Sequence, residues 1–481
     1  MSRSAGRLTW SFAAAVALAA CSPPPPPQQP PKTGERPPAA VAREAERERE
    51  ALAAAVEAYV YGYPLVSWEL ARRAATNVGA PAGWQAPMGQ LARPGGQPTA
   101  SPAPPRGSLD TLVMEGWVDV GAEPWLLSLP DARGRFHVVT FRSAWNQLLL
   151  TAGGQEARGR ARRIAVTGPG WSGQLPAGVR EVKSPTALVR IEGRVLAVGA
   201  SGDRVEAQAW LDRVTLLPLS ANPKKYLASP GRPDASLDVT TPVRDQVQAL
   251  DAVVYFKLMA ALLRVNPPLA ADATTLATLA RIGLVPGRDF DPSVMDATVI
   301  QAMTGVPRTA REKIAAAAAP AAPVNGWIVA GAGAPTASHL GRAAEVWAGA
   351  DRALDGVVLT AEVDGGGAPL EGKVRRALRF NRGKGPPAEV LWTVTVYDAS
   401  GVPMASTQGR NPLTSRGRFQ YHRDGSLELL LQVEPPRGRE SNWLQVPKGR
   451  YALVLRLHGP RIRPPSVLDG SWKPPAIGKP R

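Results

Sequence analysis

Cysteine occurs once in 481 residues, at position 21, and histidine four times, at 137, 339, 422 and 458. A lone cysteine rules out an internal disulfide, so the fold must hold by core burial, which a chain this long can supply. No histidine stands in an H-x-x-x-H pair, and the body offers no thiolate, so a zinc site is not expected. A G-x-S-x-G elbow, a Walker loop and a dinucleotide fingerprint are also missing from any strand-to-helix setting. The run GAGAP at 331–335 follows no convincing strand and reads as loop. None of these patterns calls for a cofactor. A Ser-His-Asp triad would have to be gathered from distant residues, and the sequence names none.

Acid is scarce too: 40 Asp+Glu stand against 57 Lys+Arg, a formal charge of +17. Such a surface favours acidic partners in general. The arginines are spread thinly, as at Arg72, Arg158, Arg213, Arg288, Arg352 and Arg437. With no basic helix and no aromatic-basic signature, nucleic acid is not an expected partner. The plain reading of the charge is a solvated basic surface.

What is present begins at the N-terminus, with MSRSAGRLTWSFAAAVALAAC. Arg3 and Arg7 form a basic head, and Ser11 to Ala20 form a short apolar core ending in small residues, the pattern of a secretory signal. That core falls well short of the ~20 residues a membrane-spanning helix needs. Leu18-Ala19-Ala20-Cys21 resembles a bacterial lipobox, which implies cleavage before Cys21 and its acylation. Several acyl chains on one residue give lasting attachment to a bilayer. Ser22, a non-acidic residue, follows the cysteine and points to the outer membrane, facing the periplasm. Pro23 to Pro27, Pro30, Pro31, Pro37 and Pro38 then favour an extended polyproline spacer. The expected layout is a signal peptide at 1–20 and a lipidated cysteine with its tether at 21–42.

Beyond the tether, 44% hydrophobic and 20% charged residues describe a globular chain. Glu44–Arg47 and Glu46–Arg49 are spaced to pair on a helix, and Leu52, Val56 and Val60 form an apolar stripe. Pro64 should kink or break that helix. Residues 78–107, dense in Pro and Gly, read as a long loop. Strand-like runs follow at EGWVDVG, EPWLLSLPD, GRFHVVTF, RIAVTGPGW and TALVRIEGRVLAVG. Residues 242 to about 319 turn helical, with Val247, Leu250, Val254 and Leu258 on one predicted face. From Trp327 the chain is β-patterned again. Trp392, Val394 and Val396 alternate with Leu391, Thr393, Thr395 and Tyr397, and Asp424-Gly425 between two runs predicts a hairpin. Tyr451, Leu453, Leu455 and Leu457 share one strand face, Arg456 and His458 the other. The predicted fold is α+β and β-rich: two antiparallel β-sandwich or jelly-roll-like domains, 43–230 and 325–481, joined by a helical connector over 240–320.

These stretches together resemble a bacterial two-part family, whose halves are the domains of unknown function 1254 (N-terminal) and 1214 (C-terminal). The N-terminal likeness rests on YVYGYPL (59–65), LDTLVMEGWVDV (109–120), LPDARGRF (129–136) and VTGPGWSG (166–173). RIGLVPGRDFD (281–291) matches the linking region. LWTVTVYD (391–398), DGSLELLLQ (424–432), SNWLQVP (441–447), LRLHGP (455–460) and SWKPP (471–475) carry the C-terminal half. The resemblance implies two β-sandwich-like domains bridged by helices, and no reaction. The copy departs from the family pattern Asn-x-Asp-Thr-Leu-Tyr-Ser, with Ser108, Val113 and Met114 in place of Asn, Tyr and Ser. A family acid is replaced by Arg142, a proline by Gln445, and the tyrosine of Arg-Leu-Tyr by His458.

Three constellations could carry chemistry. Asp110 and Thr111, beside Arg135 and Asn146, match the family's polar core: an acid with a cationic partner in a pocket, or an ion pair fixing strand ends. Trp392, Tyr397, Asn442 and Trp443, with Arg456 nearby, could form an aromatic platform for a sugar, or simply fill the core. Tyr59, Tyr61 and Tyr63 read as helix-end packing. Three functions stay open. The first is a lipoprotein binding or processing a small molecule or glycan in a cleft between two β domains. The second is a non-catalytic envelope accessory whose basic surface meets lipopolysaccharide. The third is a glycan hydrolase or lyase with Asp110 as general acid or base. Oligomeric state is not legible.

Overall fold

The computed structural model describes residues 38–95, 107–154, 160–198, 201–330, 338–349, 356–406 and 410–481. The signal, Cys21 and the tether to Pro37 lie outside them, as does GAGAP. The chain divides into a short N-terminal unit ending at Arg47 and one compact body from Glu48 to Arg481.

Helix α1 (Pro38–Thr76) opens the described chain. The expectation of a break at Pro64 is corrected: α1 runs through it. An internal proline removes one backbone hydrogen bond, but Val60, Tyr61, Tyr63, Leu65, Val66 and Trp68 around it are all buried, and that burial holds the helix in place. The three tyrosines are mid-helix core residues, not end packing. Tyr59 stacks on Tyr255 with ring centroids 3.9 Å apart, and the Tyr255 hydroxyl donates to the Tyr59 carbonyl at 2.8 Å.

The strands that follow are β1 (Leu91–Ala92), β2 (Thr111–Asp119), β3 (Trp125–Leu129), β4 (His137–Ser143), β5 (Leu148–Gly153), β6 (Arg162–Thr167), β7 (Val179–Lys183) and β8 (Leu188–Leu196), then helix α2 (Ser201–Asp212) and β9 (Thr215–Pro218). They form two sheets, in the orders β1-β2-β8-β4-β5 and β7-β6-β3-β9. Alternate residues make the core between them: Leu112, Met114 and Val118 of β2, Val139 and Phe141 of β4, and Val189, Ile191 and Val195 of β8 face Leu127, Leu129, Ile164 and Val166. Trp210 and Leu211 of α2 close one end.

Helices α3 (Val243–Ala249), α4 (Ala252–Val265), α5 (Ala273–Ala280), α6 (Ala297–Ala302) and α7 (Val306–Ala317) follow. The single stripe expected through Val247 and Val254 is corrected. The helix stops at Leu250, Asp251 caps a new one by accepting from the Val254 amide, and the two axes bend by 117°. The register restarts there, so Tyr255, Phe256, Met259 and Leu263 are buried while Val254 is 46% exposed. No single described helix is long and apolar enough to cross a membrane.

The C-terminal part holds β10 (Trp327–Ala330), α8 (His339–Ala348), β11 (Gly356–Ala361), β12 (Arg376–Phe380), β13 (Ala388–Asp398), β14 (Leu413–Thr414), β15 (Leu427–Gln432), β16 (Trp443–Gln445), β17 (Tyr451–Pro460) and β18 (Ile477–Gly478). Its sheets run β10-β11-β17-β13-β14 and β16-β15-β12-β18. Tyr451, Leu453, Leu455 and Leu457 meet Val394, Val396, Leu429 and Leu431 in the core between them. The chain is therefore β-rich with sandwich-like halves, although β6–β7 and β15–β16 are parallel neighbours. Before GAGAP there is a strand after all, β10. The hairpin at Asp424-Gly425 keeps its turn, with Gly425 at φ 76°. Its first arm shrinks to one bridge, Tyr421 to Leu427, and β15 is buried along its whole length.

Candidate functional site

Asp110 lies just before β2 and is fully buried. Its backbone carbonyl accepts from Ala197 at the end of β8, at 2.8 Å. Its side chain bridges the two halves. One carboxylate oxygen takes the hydroxyl of Ser108; the other takes the hydroxyl of Thr393 on β13 and faces His458 Nε2 of β17 at 3.1 Å. A carboxylate only accepts, so Nε2 is the His458 nitrogen that carries the proton. Burial by itself would raise the Asp110 carboxyl; the charge and hydrogen bond of His458, the charge of Arg456 and the Ser108 hydroxyl outweigh it and hold the group far below the usual carboxylate range. Nearby, the Tyr397 hydroxyl donates to the Gly107 carbonyl at 2.7 Å, and the Arg456 guanidinium lies 5.6 Å over the Tyr397 ring. So Asp110, Tyr397 and Arg456 do meet, as a polar knot between the halves, whereas the buried Thr111 hydroxyl makes no hydrogen bond there.

The expected neighbours of Asp110 sit elsewhere. Arg135 pairs with Asp203 at 2.6 Å and Glu206 at 2.9 Å, both on α2. Asn146, at φ 57°, turns the chain between β4 and β5, and its carbonyl accepts from Arg142 at 3.3 Å. The left-handed conformation explains an asparagine there better than ligand contact does. The aromatic platform does not assemble. Trp392 points into the C-terminal core, parallel to Phe419 at 6.1 Å, while Tyr397 is on the opposite face of β13. Asn442, fully buried, donates to the Gln420 and Glu428 carbonyls at 2.7 and 2.9 Å, and Trp443 donates to the Gln432 carbonyl at 2.8 Å. Both pin backbone.

A cleft of about 810 Å³ lies one ring away from the knot. Its walls include Arg135, Phe136, Leu196, Trp210 and Arg213 from the N-terminal half, and Glu389, Val390 and Arg416 from the C-terminal half. Phe136 lines it and sets its edge against His458, with centroids 6.2 Å apart. Behind the wall, His137 packs 4.7 Å from Trp210; burial pushes its imidazole below the ordinary value, against the pull of the Arg135 carbonyl. The cleft can seat a polar molecule between charges of both signs over an aromatic floor. Among the described residues, no cluster of three His, Cys, Asp or Glu side chains could hold a metal ion.

Ser108, Thr393 and His458 are the knot members that no local pattern announces as partners. The alternation of Arg190, Glu192 and Arg194 with Val189, Ile191 and Val195 on β8 is legible, and it marks a charged sheet face.

Residues 88–218 match the family model described as "Protein of unknown function (DUF1254)", and residues 355–462 match "Protein of unknown function (DUF1214)". No curated protein matches the chain. Among solved structures, the VPA0106 protein from Vibrio parahaemolyticus is similar, with a TM-score of 0.69 at 20% identity over 90% of this chain and 100% of that one. At that identity the likeness shows the fold alone. An uncharacterised protein from Burkholderia cenocepacia aligns at a TM-score of 0.40 and 10% identity, over 91% of this chain and 95% of that one.

Proposed function

We propose that this chain, a member of the family that joins a DUF1254 domain to a DUF1214 domain, is a periplasmic lipoprotein held to the outer membrane through Cys21 that binds a small polar molecule, such as a glycan fragment, in the cleft between its halves. The observation that carries the binding reading is the cleft itself, built from α2 and the 131–136 loop on one side and from Glu389, Val390 and Arg416 on the other. Clefts where two parts of a chain meet are common ligand sites. Its lining mixes Asp131, Asp203, Glu206 and Glu389 with Arg133, Arg135, Arg213 and Arg416, which suits a hydroxyl-rich or zwitterionic ligand better than an apolar one. A catalytic Asp110 fits less well: the carboxylate is sealed, already ionised and fully engaged, and has no access to a substrate proton.

The binding reading is tested by melting the protein against periplasmic glycans, aromatic acids and lipid fragments. A ligand at one hundred times its dissociation constant stabilises by ~2.7 kcal/mol. Arg213 and Arg416 are exposed in the cleft wall, so Arg213→Ala and Arg416→Ala should remove that shift while leaving the unliganded Tm in place. Silence across the panel, with binding to lipopolysaccharide that weakens steeply with salt, would favour the envelope-accessory reading instead.

The address is tested separately. Expressed in a Gram-negative host, the protein should sediment with membranes and take up labelled palmitate, and Cys21→Ser should abolish both. A Cys21→Ser protein that stayed membrane-bound would remove the lipid anchor from this reading.

A further inference from the structure

The charges that line the cleft are unevenly spent. Four acids line it, Asp131, Asp203, Glu206 and Glu389, and each already has a partner. Asp203 and Glu206 hold Arg135 at 2.6 and 2.9 Å, and the same guanidinium donates to the Leu196 carbonyl at 3.0 Å. Glu389 accepts from Arg461 at 3.0 Å, and Asp131 accepts from the backbone amide of Arg133 at 2.7 Å. The other three arginines of the lining, Arg133, Arg213 and Arg416, are all exposed. Among the described residues, none of their guanidiniums has a hydrogen bond or an ion pair. The unmet valence of the cleft is therefore cationic.

Arg133 is the least expected of the three. The Arg135 amide donates to the Ala132 carbonyl at 2.8 Å, closing a tight turn whose central residues, Arg133 and Gly134, have φ of 49° and 81°. Two positive φ values in succession suit Asn-Gly best, because asparagine tolerates the left-handed region where most side chains do not. An arginine there carries a backbone cost that an asparagine would reduce. No polar contact of its side chain within the described residues repays that cost. What the position supplies is a guanidinium in the cleft wall.

Unspent cations alone would admit any anion, and the rest of the lining narrows the class. Phe136 is half-buried and offers an apolar ring surface against which a sugar ring can pack. The Glu206 side chain is 77% exposed, so it can still accept from a ligand hydroxyl. We propose, resting on the reading that the cleft binds a small polar molecule, that its ligand is an acidic sugar: a hydroxyl-rich ring bearing one carboxylate or phosphate, held by the free guanidiniums of Arg133, Arg213 and Arg416. Guanidinium forks match the paired oxygens of either group.

Calorimetric titration of the full-length protein with galacturonate against galactose, and with glucose 6-phosphate against glucose, tests this at fixed ionic strength. At least one acid should bind saturably, on the order of tenfold or more tighter than its neutral counterpart, the usual scale for a hydrogen bond to a charged group. Which acid binds tells carboxylate from phosphate, and added salt should weaken the binding. Arg213→Ala should cost a similar factor. Arg133→Asn separates ligand from scaffold: the unliganded Tm should hold or rise, because asparagine suits the turn, while acid affinity falls. Arg232→Ala, an exposed arginine outside the cleft, should leave binding unchanged. Neutral sugars that bind as tightly as the acids overturn the acidic assignment and leave the cleft reading intact. Acid binding that survives both Arg213→Ala and Arg133→Asn overturns it too, since the anion then sits elsewhere. Binding of none of the four sugars also overturns it, and the wider melting panel then decides the cleft reading by itself.

Discussion

Asp110→Asn will destabilise the protein by about 3–5 kcal/mol, the usual cost of removing one partner from a buried ion pair. The amide keeps the shape but removes the negative charge that faces His458 and Arg456 from a fully buried position. Denaturant unfolding at pH 7 measures this directly, and Asp110→Asn/His458→Gln should cost less than the sum of the two single changes. The pH dependence follows from the direction of the shift. The native carboxyl lies far below the ordinary aspartate value of ~3.9, so in acid the unfolded chain binds the proton and the native state does not. The stabilisation is therefore complete above that value and fades as the pH falls below it. The gap between wild type and Asp110→Asn should narrow as the pH falls below ~4. An unchanged Tm at pH 7, accompanied by lost turnover on some substrate, would mean that Asp110 is a catalytic group after all.

The partners of Asp110 explain how far the sequence could be read. Thr393 and His458 lie 283 and 348 residues away, and no periodicity reaches across that distance. Where information is local, the reading succeeds. β2, β3, β4, β6 and β8 lie where alternating apolar residues and flanking turns put them. The odd-numbered face of β17 enters the core as its leucines require. The failures have local causes of another kind. A helix cap at Asp251 resets the register, and four residues of apolar spacing cannot reveal it. Pro64 forfeits a hydrogen bond, but the burial of both flanks decides the outcome. The Trp392–Tyr397 pair of the aromatic platform failed on parity. Trp392 and Tyr397 differ by an odd number of strand positions, so one pleated strand cannot present both to the same ligand.

The same knot decides how the two halves unfold, and Trp327→Ala should expose it. Trp327 is fully buried at the start of β10, packs in the C-terminal core and donates to the Pro475 carbonyl at 2.9 Å. Truncating so large a buried side chain costs ~3–5 kcal/mol. Were the halves independent, only the C-terminal sandwich would weaken. But residues 48–481 form one compact body. Asp110 binds Thr393 and His458, Tyr397 binds the Gly107 carbonyl, and Phe136 packs on His458, all across the junction. Losing β13 and β17 would strand a buried carboxylate beside β2, so the N-terminal sheet cannot stay native at the same free energy. Hydrogen exchange should therefore show the amides of β2 and β8 losing protection together with those of β13 and β17 in Trp327→Ala. If β2 and β8 keep their protection while the C-terminal sandwich opens, the halves are separable and the knot is a contact without coupling. In Asp110→Asn/Trp327→Ala the link is already cut, so there the two sheets should open separately, which tells coupling through the knot from coupling through the rest of the junction.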